Sequence, residues 1–392
     1  MPTKDRFICQ ILQLNQAPNI YNAMLQRLLS HHRLLHGLII GLSLFGLAML
    51  LSASGPVAYQ NYSDPLYFVR RQILFGLLPG ALAFFIISRL DYRMLKQFAL
   101  PALIASLGLL VLVFIPGIGQ TYGGSSSWIR IAGMSFQPSE FVKIAFLMYA
   151  AAWLATRGEK EGRTLEGGAS FLMALGAVIL LLILQPDTGS MSVIAGTTLL
   201  TYFAAGAPVS LFLGLMAFGA AGLALLIRIT PYRAERFMTF LHPELDPQGI
   251  GYHINQAFLA IGSGGLLGLG FGQSRQKFLY LPEVQGDSIF AVMAEEMGFV
   301  ISLLFIVALA TLVWRCLRIG QEAHDGFGRY LAIGVGCWVG VQAFVNIGSM
   351  TGLIPMTGVT LPFVSYGNSS TLSLFMALGL VASVQRAATA GR

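Results

Sequence analysis

The sequence predicts an all-α, polytopic membrane protein with about ten transmembrane helices, both termini in the cytoplasm and a large outer loop between helices seven and eight. Three observations carry that expectation. Hydrophobic residues make up 55% of the 392 residues and charged residues only 10%, a balance that a water-soluble chain of this length would not tolerate. Mean hydropathy is +0.71. The apolar residues also form continuous runs instead of alternating, so they read as helices of about 20 residues and not as the strands of a membrane barrel.

In chain order the runs lie near 34–54, 72–90, 98–116, 139–156, 169–185, 190–206, 209–229, 288–314, 329–349 and 368–385. Residues 1–33 are polar and mixed and lack the character of a signal peptide, so they are expected to form a cytoplasmic extension ahead of a retained first span. A transmembrane domain then covers 34–386, and 387–392 form a cytoplasmic tail. His31, His32 and His36 stand at the mouth of the first span, where interfacial placement explains them better than a metal.

Orientation follows from the cations. With the N-terminus inside, the inner segments carry Lys4, Arg6, Arg27 and Arg33; Arg89, Arg93 and Lys96; Arg157, Lys160 and Arg163; Arg315, Arg318 and Arg329; and Arg386 and Arg392, which is most of the 24 lysines and arginines. Such a bias marks the cytoplasmic side. The outer side keeps Arg70, Arg71, Arg130 and a group of five from Arg228 to Lys277. Those five fall in a long loop, where the charge rule has little force, and read as ligand contacts. Outer cations suit an anionic lipid head group, as does the net charge of +7. Cys9, Cys316 and Cys337 map to the inner side or to spans and imply no disulfide framework.

Most links between spans are short, but 230–287 is long and carries the run Ile261-Gly-Ser-Gly-Gly-Leu-Leu-Gly-Leu-Gly-Phe-Gly272. It is apolar enough at 253–272 to form helices lying in the outer leaflet or re-entering it. Its glycines lack the Gly-Lys-Ser/Thr ending of a phosphate-cradling loop and are expected to serve close packing.

Four polar constellations gather at the outer face. In Gln137-Pro-Ser139-Glu140-Phe-Val-Lys143, Ser139 can cap a helix whose first turn holds Glu140, with Lys143 one turn deeper as a buried cation in need of a partner. Gln185-Pro186-Asp187 is a turn whose aspartate either caps span six or meets a ligand. Tyr280-Leu-Pro-Glu283-Val-Gln-Gly-Asp287-Ser-Ile-Phe leads into Glu295 and Glu296, placing carboxylates at the entry of span eight, where acids are costly and usually functional. From Asn346 to Ser370 the chain is broken by Pro355, Pro362 and several glycines, which rules out one continuous helix.

Gln137-Pro-Ser-Glu140 with Lys143, Gln185-Pro-Asp187-Thr-Gly189, the Leu281-Pro-Glu283 to Asp287 element with Ile-Phe-Ala and Glu295-Glu296, and Pro362-Phe-Val-Ser-Tyr-Gly367 together resemble the SEDS proteins (shape, elongation, division and sporulation). The resemblance runs through all ten spans. Gly272-Gln-Ser-Arg275-Gln-Lys277-Phe-Leu-Tyr-Leu-Pro-Glu283 is more similar to the division branch, FtsW, than to the elongation branch, RodA.

Membership would imply a peptidoglycan glycosyltransferase that polymerises lipid II in the bacterial cytoplasmic membrane, at the division septum. Its partners would be a class B penicillin-binding transpeptidase and other division proteins, with no nucleic acid. In the family the acid at the position of Asp287 is regarded as catalytic. Here it is expected to be the general base that activates the acceptor sugar hydroxyl while undecaprenyl pyrophosphate departs. A pyrophosphate leaves well unprotonated, so one carboxylate suffices where hydrolases use two. Lys143, Arg130, Arg275 and Lys277 are candidates for the pyrophosphate or for an ion pair with Asp287, and Gln137, Glu140, Asp187, Glu283 and Ser365 for further substrate contacts. A divalent cation, Mg or Mn, could share the work, although no metal-ligand spacing marks its site.

Two departures stand out. Gln285-Gly286-Asp287-Ser288 replaces the usual His-Thr/Ser-Asp followed by an aromatic, and Asn368 replaces a second glycine after Ser-Tyr-Gly. Other classes fit less well. A lipid II flippase or other transporter would place its polar residues near the midplane and repeat them in two halves. A scaffold has no need of buried acids. A RodA-like elongation polymerase would share the chemistry.

Overall fold

The computed structural model describes residues 31–122, 125–131, 134–157, 168–245, 248–249 and 251–390. Residues 1–30 of the predicted extension, with Cys9, and the inner cations Lys160, Arg163 and Arg392 lie outside the described residues. Leu42–Arg392 cluster as one compact unit, and the residues before Leu42 as another, whose described part is the start of the first helix.

All ten predicted runs are helical. They are α1 (His31–Tyr62), α2 (Tyr67–Arg89, with a π-helical stretch at Ile73–Leu77), α3 (Ala99–Leu112, preceded by a 3₁₀ turn at Tyr92–Phe98), α4 (Pro138–Arg157), α5 (Ala169–Leu184), α6 (Thr188–Ala204), α7 (Val209–Ile229), α10 (Ile289–Glu322), α11 (Gly326–Met350) and α12 (Asn368–Ala390). Between α7 and α10 the outer segment adds α8 (Pro231–Leu241) and α9 (Tyr252–Gly264). Among the described residues eight helices are long and apolar enough to cross a bilayer, while α5 and α6 have 16 and 17 residues. The chain is a multi-pass membrane protein.

Burial sorts the helices. Of the most apolar windows of α4, α11 and α12, 72%, 72% and 78% are buried, against 17% for α2 and none for α7. The first three therefore form the core, and α7 turns its apolar surface outward, as a lipid-facing helix does. Where α10 meets α11, the glycines at 320 and 336 would bring an added Cβ against Ile333 and Cys316 respectively, so small residues set the helix separation.

One element was not expected. The link between α3 and α4 forms a small antiparallel sheet of β1 (Gly119–Tyr122), β2 (Ser125–Ile131) and β3 (Met134–Phe136), in that order, with Ile129 opposite both Gly119 and Phe136. Ser127 and Ile129 are buried while Arg130 is exposed, which is the period of two that a strand imposes. Long apolar runs carry no information about such a polar link.

The glycine run has a defined structural use. Inside α10, Gly298 adopts φ 71° and breaks the helix. Residues 265–270 lie against the break: Leu269 and Gly270 donate to the carbonyls of Glu295 and Glu296 at 3.0 and 2.9 Å, and Phe299 and Val300 donate back to Gly265 and Leu266 at 2.9 and 3.2 Å. The freed backbone groups are thus satisfied by protein, as irregular backbone in a membrane protein requires. An added Cβ at Gly268 or Gly298 would collide with the opposing main chain.

The acids beneath this junction hold it together. Glu296 accepts from Lys277 Nζ (2.7 Å) and Ser52 (2.7 Å), and Glu295 from the Arg275 amide (2.9 Å) and the Ser274 hydroxyl.

Candidate active site

Asp287 sits in the link before α10, and its main chain is fastened from several sides. Asn346 on α11 donates to the carbonyl of Asp287 at 2.8 Å. Ser365 donates to the Gly286 carbonyl at 2.6 Å, and the Tyr366 amide to that of Gln285 at 2.7 Å. Within the link, the amides of Gly286 and Ser288 both return to the Glu283 carbonyl, at 2.8 and 3.3 Å. Glu283 takes a left-handed φ of 48° to make that turn. The non-helical stretch between α11 and α12 is thereby explained: its free backbone groups and Ser365 are what grip the segment carrying the acid.

A cavity of about 850 Å³ opens at Asp287. Cations enter it from three elements, Arg71 from α2, Arg130 from β2 and Arg236 from α8, and acids from three, Asp187, Glu235 and the Glu283–Asp287 link. Asp287 keeps some exposure to the cavity but is otherwise surrounded by protein. Burial pushes its carboxyl up to about 7, the neighbouring Glu283 charge adds to the rise, and Arg236 opposes it. A carboxylate held near neutrality is the state a general base needs.

Of the predicted site residues, Asp287, Arg130, Gln137, Asp187 and Glu283 meet at this cavity. Asp187 also caps α6 by accepting from the Ser190 amide at 2.9 Å, which is the capping reading given to it, while it lines the cavity. The remaining residues face elsewhere. Lys143 is buried against Glu140 at 2.8 Å and Gln342 at 2.9 Å, over the ring of Trp338, and does not line the cavity; the cation beside Asp287 is Arg236 instead. Glu140 is occupied by Lys143 and Ser373. Lys277 is paired with Glu296, and Arg275 is exposed away from the cavity with its amide on Glu295. Ser365 holds backbone and presents no cavity surface. Nor does Ser139 cap α4: that helix starts at Pro138, and the Ser139 hydroxyl reaches Asp187 and Ser190 at 3.3 and 3.0 Å.

Sequence reasoning passed over Arg71 and His253 as site residues and counted Arg236 only within the outer cation group. For Arg71 there was a signal, a cation next to Arg70 on the outer side of a span. For His253 there was none, since its partner is 35 positions away. Among the described residues no group of three or more His, Cys, Asp or Glu side chains gathers as a metal site. A magnesium ion held by one carboxylate and substrate phosphates would not need such a group.

Comparison with known proteins bears on the same geometry. A family model described as "Cell cycle protein", covering the FtsW, RodA and SpoVE proteins, matches residues 32–390. The chain belongs to this family. It is 41% identical over 344 residues to the stage V sporulation protein E of Bacillus subtilis, covering 87% of this chain and 93% of the relative. With a probable peptidoglycan glycosyltransferase FtsW of Trichlorobacter lovleyi it shares 39% over 358 residues, covering 91% and 94%. Among solved structures, a chain from work on a peptidoglycan synthase complex that coordinates polymerisation and crosslinking superposes with TM-score 0.75 at 29% identity, covering 90% of this chain and 97% of that one. The rod shape determining protein RodA of Thermus thermophilus gives 0.67 at 29%, covering 90% and 95%. The SEDS resemblance read from the motifs is therefore membership, and the FtsW-like character agrees with the relatives.

Proposed function

We propose that this SEDS protein is a peptidoglycan glycosyltransferase that polymerises lipid II, with Asp287 as its general base. The observation that carries the proposal is the pairing, in one cavity, of a clamped carboxylate held near neutrality with three arginines from separate elements. Glycan extension needs one proton removed from the acceptor 4-hydroxyl as it attacks the anomeric carbon of the donor. It also needs a pyrophosphate stabilised as it leaves. Asp287 supplies the first function. Arg71, Arg130 and Arg236 suit the second, since guanidinium forks match phosphate oxygens. Gln137, Asp187 and Glu283 offer hydrogen-bonding groups for the sugars and the peptide stem.

The membrane domain is read as 34–386, with both termini cytoplasmic and the cavity facing outward, where lipid-linked precursor is consumed. The named FtsW relatives support a place at the septum beside a class B penicillin-binding transpeptidase and other division proteins. Polymerisation of supplied lipid II by the purified protein, alone and with that transpeptidase, tests the reaction: wild type should build strands, and Asp287→Asn should lose roughly 10²–10⁴-fold of the rate with its fold retained. A variant as fast as wild type would remove Asp287 from the role. Depletion in cells separates the physiological branches, with filaments expected for division, spheres for elongation and failed spores for sporulation.

A further inference from the structure

Helix α9 brings one more group to Asp287. Nε2 of His253 lies 2.5 Å from the Ser288 hydroxyl, and that hydroxyl lies 3.5 Å from Oδ1 of Asp287. Ser288 is wholly buried and occupies the cap position of α10, yet its side chain makes no capping bond, so the hydroxyl is left for this bridge. Both His253 and Asp287 line the cavity. A hydroxyl has a single hydrogen. When Ser288 donates it to Asp287, its oxygen can only accept from His253, which places the imidazole proton on Nε2.

Oδ1 is thereby engaged, whereas Oδ2 points toward Gly358, where an added Cβ would stand 3.8 Å away, close but without blocking it.

We propose that His253 is a positioning residue which, through Ser288, occupies Oδ1 of Asp287 and leaves Oδ2 as the oxygen that takes the acceptor proton. The imidazole works in its neutral form. Burial first and the charge of Arg236 second push its ionisation down to about 4. The charged groups facing the pair are Arg236 from α8 and Glu283 from the same link as Asp287.

The proposal rests on Asp287 being the base, and its test separates the two. In the full-length protein, His253→Leu should lower kcat by roughly tenfold with KM for lipid II unchanged. The acid limb of the rate profile should move to higher pH, because the Ser288 hydroxyl, no longer held by the imidazole, is free to turn away and the carboxylate loses the hydrogen bond it donated. His253→Gln, whose amide can still donate to Ser288, should restore both. Ser288→Ala should reproduce the shift, and adding it to His253→Leu should change nothing further.

A readout independent of turnover is the pH dependence of thermal stability. Ser288→Ala leaves the histidine in place and should move the Asp287-dependent loss of stability to higher pH. An unmoved acid limb together with unmoved melting curves, or losses that multiply in the double variant, would overturn the role of His253. A merely structural histidine would lower stability and rate together without moving either pH dependence. Failure of Asp287→Asn to impair polymerisation would instead overturn the assignment of the base.

Discussion

The side-chain amide of Asn346 donates to two main-chain carbonyls at once, that of Asp287 at 2.8 Å and that of Val359 at 2.7 Å. One residue on the core helix α11 thus joins the segment carrying the acid to the broken stretch that forms the opposite wall of the cavity. Asn346→Leu would leave both carbonyls without this donor, at about 1–3 kcal/mol for each buried group. The melting temperature and kcat should fall together, and thermal melts alongside lipid II turnover measure the pair.

Since burial and Glu283 hold the Asp287 carboxyl near 7, the rate should be pH-limited on its acid side. Polymerisation measured from pH 5.5 to 8.5 is expected to fall about tenfold per unit below neutrality and to level off above it. An acid limb at the ordinary carboxylate range would show that another group controls the step.

The same elevation affects stability in a determined direction. The folded state holds its proton more tightly than the unfolded one, so stability is lost as pH rises from about 4 to about 7 and the loss is complete above that. Asp287→Asn removes this dependence. The variant should melt higher than wild type at pH 8, by an amount worth a few kcal/mol, with the difference shrinking toward pH 4. Melting curves of both proteins in detergent across that range check the sign.

Lys143 acts through structure. Its ammonium is shared between Glu140 and Gln342, and Gln342 in turn donates to the Thr360 carbonyl on the cavity wall at 3.0 Å. Lys143→Ala strands a buried carboxylate and should cost about 3–5 kcal/mol. Combining Lys143→Met with Glu140→Gln should recover most of the folded protein. Expression level and thermal stability report the recovery, and turnover should follow them.

Helix existence was readable in the sequence because lipid imposes it: a run of apolar residues as long as the bilayer is thick has few other ways to satisfy its backbone. The broken segment after Asn346 was equally plain, since prolines and glycines cannot continue a helix. The sheet at Gly119–Phe136 was not, because a short polar link has no such constraint. The acids at the entry of α10 could be singled out because a carboxylate beside an apolar helix is costly wherever it stands, and the family resemblance pointed to Asp287 among them.

Its neighbours could not be read in the same way. Lys143, Lys277 and Ser365 carry the residue types a phosphate or sugar would want, but side-chain type does not say which way a helix is turned. Packing directed Lys143 to Gln342, Lys277 to Glu296 and Ser365 to the Gly286 carbonyl, and brought Arg71, Arg236 and His253 to the cavity of the acid from three separate elements.

By itself, then, the sequence determined the class, the spans and the costly acids at the entry of α10, each a local consequence of taking polar or apolar atoms out of water, while its family motif pointed to Asp287 among them. Only the tertiary structure decided which cations and which imidazole face that acid, because those contacts join residues far apart in the chain and depend on how the helices are rotated against one another.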